Sequence, residues 1–226
     1  MNGTPNILLV HGAWADGSSW SRVIPLLQAE RLNATAVQLP LTSLDDDVAT
    51  VKRAIALEDG PILLVGHSYG GVVITQAGVD PKVAGLVYVT AFAPDIGESV
   101  GSLASSAPPA PLTSEIRPDA NGFLKLTRAG VLETFAQGLS DAEKNTLFAL
   151  QAPTSGKVLG GAVASAAWKT KPSWYIVTTN DRAIPQNLER TMAVKINAHT
   201  ISIAASHAVM LSRPREVASL IIEAVR

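Results

Sequence analysis

Apolar residues along the chain follow two different periods. Short, near-continuous runs rich in Val, Ile and Leu recur at Ile7–Val10, Thr35–Gln38, Ile62–Val65, Leu86–Val89, Trp174–Thr178 and Thr200–Ile203. A strand with one wet face alternates apolar and polar side chains, so unbroken runs predict strands buried on both faces. Helix-length intervals between the runs suit right-handed crossovers between parallel strands. The pattern therefore predicts an α/β fold built on a doubly wound, mainly parallel sheet of about six strands.

The second period is helical. Leu44, Val48, Val51 and Ile55 fall on one face of a helix, and Ser43 with Asp46 has the spacing of a capping box. Asp45, Asp46 and Asp47 sit in its first turn, where negative charge suits the helix dipole; successive helical positions do not face one another as metal ligands must. Ser212, Pro214, Val217, Leu220 and Ile221 announce a closing helix in the same way. One interval breaks the rhythm. From Pro94 to Pro172 a Pro/Ser-rich passage is followed by helical-looking segments at Ala129–Leu139 and Ser140–Leu150. A structureless loop of that length does not suit a compact domain. Residues 94–172 are therefore read as a helical cap inserted between two parts of a core domain, 1–93 and 173–226.

Composition narrows the function classes. With 47% hydrophobic and 16% charged residues, the chain of 226 residues can bury a core without a partner. Its 18 Lys+Arg and 19 Asp+Glu are scattered, which leaves no basic field for nucleic acid or an anionic membrane. The absence of cysteine removes thiol nucleophiles, thiolate metal sites and disulfides. No basic leader and no apolar run of spanning length is visible, so a cytoplasmic monomer or homodimer is expected.

Against this background ILLVGHSYGGVVI, residues 62–74, carries the chemistry. A strand that ends near Val65 and a helix that starts near Gly70 leave a few residues to reverse direction. Gly66 and Gly70 remove side chains that would collide across so sharp a bend. Ser68 is thereby held at the C-terminal sheet edge, at a helix N-terminus, as a candidate nucleophile. It needs a base, and the chain has four histidines. His67 should point away from Ser68, and His199 precedes a strand and lies at the wrong end of the sheet. His207 follows the last strand through Ala204, Ala205 and Ser206, and emerges beside Ser68. Asp181, just beyond the strand Trp174–Thr178, is the acid expected to orient His207; Asp95 is the rival. The loop after the first strand brings the N–H of Ala13 towards that of Tyr69, a candidate pair of oxyanion donors, with His11 bracing the loop. Trp14, Phe92, Phe123, Phe135, Leu147 and Phe148, together with Tyr69, are candidates for an apolar pocket. Arg182 is expected to be exposed.

The segments HGAW, GHSYGG, NDRAIP and SHAVMLSRP, in this order, resemble the α/β-hydrolase superfamily over essentially the whole chain. Within it the sequence resembles small bacterial esterases related to plant methylesterases and hydroxynitrile lyases. The resemblance implies a serine esterase with Ser68, Asp181 and His207 as triad, Ala13 and Tyr69 as oxyanion donors, a cap that shapes the pocket, and no cofactor. Its expected partner is a small, largely apolar or aryl ester. The lyase branch carries threonine where this chain has Gly12 and lysine where it has Ala208, so cyanohydrin cleavage is disfavoured. Other hydrolyses on the same triad, of a carbon–carbon bond, a lactone or an amide, stay open alongside perhydrolysis and a ligand-binding receptor on this fold.

Overall fold

The computed structural model describes residues 5–226. In chain order, β1 (Asn6–Val10), α1 (Ile24–Ala29), β2 (Ala34–Val37), α2 (Leu44–Leu57), β3 (Ile62–Ser68), α3 (Gly70–Ala77) and β4 (Val83–Ala91) build the first part of the molecule. The middle part runs through α4 (Val100–Ser105), β5 (Ile116–Pro118), β6 (Phe123–Leu126), α5 (Asp141–Leu150), β7 (Thr154–Ser155) and α6 (Gly156–Gly160). The chain closes with β8 (Ser173–Thr178), α7 (Gln186–Lys195), β9 (His199–Ile203), α8 (Val209–Ser212) and α9 (Pro214–Val225).

Six strands form one parallel sheet in the order β2-β1-β3-β4-β8-β9, each close to a run expected from the apolar pattern. Along β3 the side chains alternate between two apolar layers: Ile62 and Leu64 face one, Leu63 and Val65 the other. The first layer is completed by α2, α3 and α7, the second by α1 and α9. That is why these strands read as unbroken apolar runs: each face is buried, at about 1.5–3 kcal/mol of stabilisation per fully buried large aliphatic side chain. The winding direction reverses between β1 and β3, so a crevice opens at their C-terminal ends.

The segment between β4 and β8 contains the expected helices and something more. Ser140 caps α5 in a full capping box with Glu143, and Gly130–Phe135 makes a single wide helical turn. β5 and β6, before them in the chain, and β7, after them, pair into a small antiparallel sheet. Strands of two to four residues are too short to impose a period, which is why only the helices stand out in the sequence.

Helix α2 begins as its sequence suggests, with Ser43 Oγ accepting from the Asp46 N–H. Asp47, in the first turn as expected, does more than suit the helix dipole: its side chain is fully buried. Its carboxylate accepts from the Leu41 N–H and from the Tyr69 hydroxyl, each at 2.8 Å, and so ties α2 to the start of α3. Burial pushes the Asp47 carboxyl up to about 6, against the lowering influence of the Tyr69 and Leu41 hydrogen bonds.

Two predictions follow from α2. Ile55 is 1% exposed and Leu57 86% exposed, so Ile55→Ala should lose about 2–4 kcal/mol in denaturant unfolding and Leu57→Ala less than about 0.5. An aspartate whose pKa is higher in the folded than in the unfolded state contributes stability at low pH and loses it as pH rises from about 4 to about 6. The stability of Asp47→Asn relative to the parent should therefore climb across that window, by up to about 3 kcal/mol, in unfolding measured on either side of it. A flat difference would show that Asp47 ionises freely in the folded protein.

Candidate active site

The first strand and the turn at Ser68 meet at the crevice between β1 and β3. Ser68 ends β3 with φ at 53°, in the left-handed region that non-glycine residues rarely occupy. The turn is tight because backbones touch. A Cβ on Gly66 would lie 2.6 Å from Gly70 O, one on Gly70 2.5 Å from Val10 O, and one on Gly71 2.3 Å from Phe92 O. Only glycine permits the start of α3 to rest on β1 and on the end of β4. Ser68 lines a cavity of about 290 Å³, and His207 lines the same cavity.

His207 follows β9 and is buried. Its Nδ1 lies 2.7 Å from Oδ2 of Asp181, in the loop after β8. Nδ1 is therefore the protonated nitrogen and donates to the carboxylate, which leaves Nε2 with a lone pair. Asp181 is held by more than the imidazole. Its Oδ1 accepts from the N–H groups of Ala183 (2.6 Å) and Ile184 (3.0 Å), and its Oδ2 accepts from the Thr90 hydroxyl (2.6 Å), with the Thr178 hydroxyl oxygen 3.2 Å away. Burial opposes its ionisation, but the His207 ring, the Thr90 hydroxyl and the Ile184 N–H together hold the carboxyl well below the usual carboxylate range. Among the described residues no hydrogen bond joins Ser68 Oγ to His207, a looseness common at ligand-free sites of this kind.

The other histidines fall where the sequence places them. His67 points away from the cavity and its Nε2–H donates to the His207 carbonyl at 2.9 Å, so it braces the loop that carries the base. Burial, followed by the neighbouring His207 ring, drives the His67 pKa far down and keeps the ring neutral. His199 starts β9 on the exposed far side, beside Glu223. His11 accepts from the Leu39 N–H at Nε2 and donates from Nδ1 to the Gly12 carbonyl, both at 2.9 Å. Burial lowers its pKa, outweighing the Gly12 contact, so it acts as a neutral brace. The rival acid, Asp95, pairs instead with Lys169 on the surface. Arg182 is exposed and donates to the Glu133 carbonyl.

The N–H groups of Ala13 and Tyr69 donate to no protein acceptor among the described residues, and both residues line the cavity beside Ser68. Gly12 is required next to them, since a Cβ there would sit 2.7 Å from Ser68 Cβ. Trp14, with φ at 58°, is held from the inserted segment: its N–H donates to Thr154 Oγ1 (2.9 Å) and its indole N–H to Leu124 O (3.1 Å). The small antiparallel sheet thus fixes the loop that carries Ala13.

The pocket candidates divide. Trp14, Tyr69 and Phe92 line the cavity with Ser68. Phe135 does not; its ring packs edge-on against His207 at 4.9 Å, behind the base. Leu147 belongs to the cluster around Phe135, and Phe148 lies beneath Lys125 and Arg128 on the outside of the inserted segment. Phe123 pairs with Ser155 in the small sheet and does not reach the cavity. The remaining wall is mainly aliphatic, from Val100, Ala104, Leu112, Ile116, Leu159 and Ile184, with the hydroxyl residues Ser105 and Thr113 among them. Aromatic residues draw attention in a sequence, yet Phe135 is satisfied by its edge contact to His207 and Phe148 by the Lys125 and Arg128 cations. Short aliphatic residues in a Pro/Ser-rich passage carry no comparable signal.

The chain is similar to known proteins. A carbendazim hydrolyzing esterase of Nocardioides sp. (strain SG-4G) is 32% identical over 126 residues, a match that covers 49% of this chain and 51% of that protein. Methylesterase 7 of Arabidopsis thaliana is 27% identical over 98% of this chain and 96% of its own. The crystal structure of polyneuridine aldehyde esterase superposes with a TM-score of 0.85 over 98% of this chain and 99% of that one, at 20% identity, and so shares the fold. Among the described residues no helix is long and apolar enough to cross a membrane. Residues 7–220 match the alpha/beta hydrolase family, and the chain belongs to it.

Proposed function

We propose that the protein is a serine esterase that cleaves small, largely apolar or aryl carboxylic esters through an acyl-enzyme on Ser68. The observation that carries this reading is the 2.7 Å bond from His207 Nδ1 to a buried, ionised Asp181, in a cavity that the strained Ser68 also lines. His207 Nε2 takes the Ser68 proton as Oγ attacks the ester carbonyl. The Ala13 and Tyr69 N–H groups receive the oxyanion, and His207 returns the proton to the departing alcohol. Water, deprotonated by the same nitrogen, then releases the acid and restores Ser68. Ester hydrolysis is what the names of the related proteins describe, and an uncharged aliphatic wall suits an uncharged acyl or alcohol group. In this reading residues 94–172 act as the cap, which supplies most of that wall and clamps Trp14.

A fluorophosphonate probe should add once, at Ser68, as read by intact mass and peptide mapping. Ser68→Ala should abolish the adduct, and His207→Ala should slow both labelling and the hydrolysis of 4-nitrophenyl esters by about 10³-fold or more. Equal ester hydrolysis by the parent and Ser68→Ala would sink the proposal.

The cavity wall makes a second prediction. Leu159→Trp adds bulk where the segment faces Ser68, so it should lower kcat/KM for long-chain esters about 10-fold relative to acetate. An unchanged chain-length preference would place the acyl group elsewhere.

A further inference from the structure

A second carboxyl group stands behind the Asp181–His207 pair. Glu189 lies one turn into α7, on the same face as Leu188, Met192 and Ala193, and is fully buried. A glutamate in such a place needs either a cation or a proton. Among the described residues no Lys or Arg pairs with it. Its Oε2 accepts one backbone N–H, from Thr178 at 2.8 Å, and its Oε1 lies 2.5 Å from Thr90 Oγ1.

The protons around Thr90 can be counted. Its Oγ1 has three oxygen neighbours: Glu189 Oε1 at 2.5 Å, Asp181 Oδ2 at 2.6 Å and Thr178 Oγ1 at 2.8 Å. Each contact this short needs a proton between its oxygens. The two threonine hydroxyls supply two protons, so the third must come from a carboxyl group. A hydroxyl donates once and accepts twice, and that capacity is filled when Glu189 and Thr178 donate to Thr90 and Thr90 donates to Asp181. Of the two carboxyls, Asp181 is the better place for the negative charge. It receives two backbone N–H groups, the Thr90 hydroxyl and the His207 N–H, whereas Glu189 receives a single backbone N–H.

The backbone is bent to make this contact. Thr90 has φ at 41°, a left-handed conformation that a β-branched residue adopts at a cost. It is the residue skipped where the register shifts between β3 and β4, so a bulge turns its hydroxyl towards Asp181. We propose that Glu189 is a neutral carboxylic acid that, through Thr90, acts as a positioning residue for Asp181 and leaves one negative charge behind His207 instead of two.

The titratable groups that face Glu189 are Asp181 with His207 beyond it, and the Tyr175 phenol on β8, which donates to the Ala91 carbonyl. Burial, followed by the Asp181 charge, pushes the Glu189 carboxyl well above the usual range, in agreement with the proton count.

One arm of the test needs no activity. In wild-type protein labelled at glutamate Cδ, one of the nine glutamate carbon resonances should stay at the protonated position from about pH 6 to about pH 9. Titration of all nine below that range would overturn the proposal. The second arm rests on the esterase reading and follows the pH profile of kcat/KM. Glu189→Gln keeps a neutral donor, so its acidic limb should stay in place, with activity within about threefold of the parent. Glu189→Leu removes the donor, so kcat should fall about 10-fold or more at similar KM, with the acidic limb moved upward. A downward shift of that limb by about half a unit or more in Glu189→Gln would mean that a charge had been removed, and would overturn the proposal. Unchanged kcat and pH profile in folded Glu189→Leu would overturn the positioning role. Loss of the esterase reading itself would appear as inactive wild-type protein, while the resonance still reports the proton.

Discussion

Close backbone contact at the turn between β3 and α3 is the constraint on which the rest of the site depends. The start of α3 rests on the carbonyls of β1 and β4 at distances that admit no Cβ at Gly66, Gly70 or Gly71. That contact forces Ser68 into a left-handed conformation and lifts its hydroxyl out of the sheet edge. It also brings the N–H of Tyr69 alongside the loop that leaves β1, where Gly12 lets a second N–H approach. The strain at Ser68 is supported by a sheet whose two faces are both buried, and by α2, whose Asp47 grips the Tyr69 hydroxyl.

The inserted segment does two jobs with different parts. Its helices and the turn at Leu112 supply most of its share of the aliphatic wall, whereas its small sheet adds Ile116 and holds Trp14 from two directions. Further ties run from its wide helical turn to the core, through the Ala208 N–H to the Phe135 carbonyl and through Arg182 to Glu133. Phe135 closes the space behind His207 with an edge contact. His207 is thus held by the core on one side and by the inserted segment on the other.

The electrostatics of the site are arranged by unequal solvation of similar groups. Asp181, with backbone and hydroxyl donors around it, keeps its charge, while Glu189, one residue away in space, has a single backbone donor. His67 and His207 are neighbouring rings, yet His67 spends its N–H on a carbonyl and stays neutral, while His207 has a carboxylate partner. For the two carboxyl groups, the number of donors each receives decides which one carries charge.

The periods of the apolar residues already specify the six strands, α2 and α9, because burial on one or both faces leaves a local pattern. The sequence alone also singled out Ser68, His207 and Asp181, since parallel topology sends the residue after each strand to the same sheet edge. It could not show the small sheet in 94–172, whose strands are shorter than one readable period. Nor could it separate Phe92, on the cavity wall, from Phe123, Phe135, Leu147 and Phe148, because which side of an inserted segment faces the sheet is not a local property. Asp47 looks like its solvated neighbours, and Glu189 like any helix-surface acid, until contacts 22 and 99 residues away in the chain are formed. Residue identity and period determined the strands, the elbow and the candidate triad. Tertiary packing alone decided the pocket wall and the burial of the two acids, because those depend on pairs of positions that nothing in the local sequence connects.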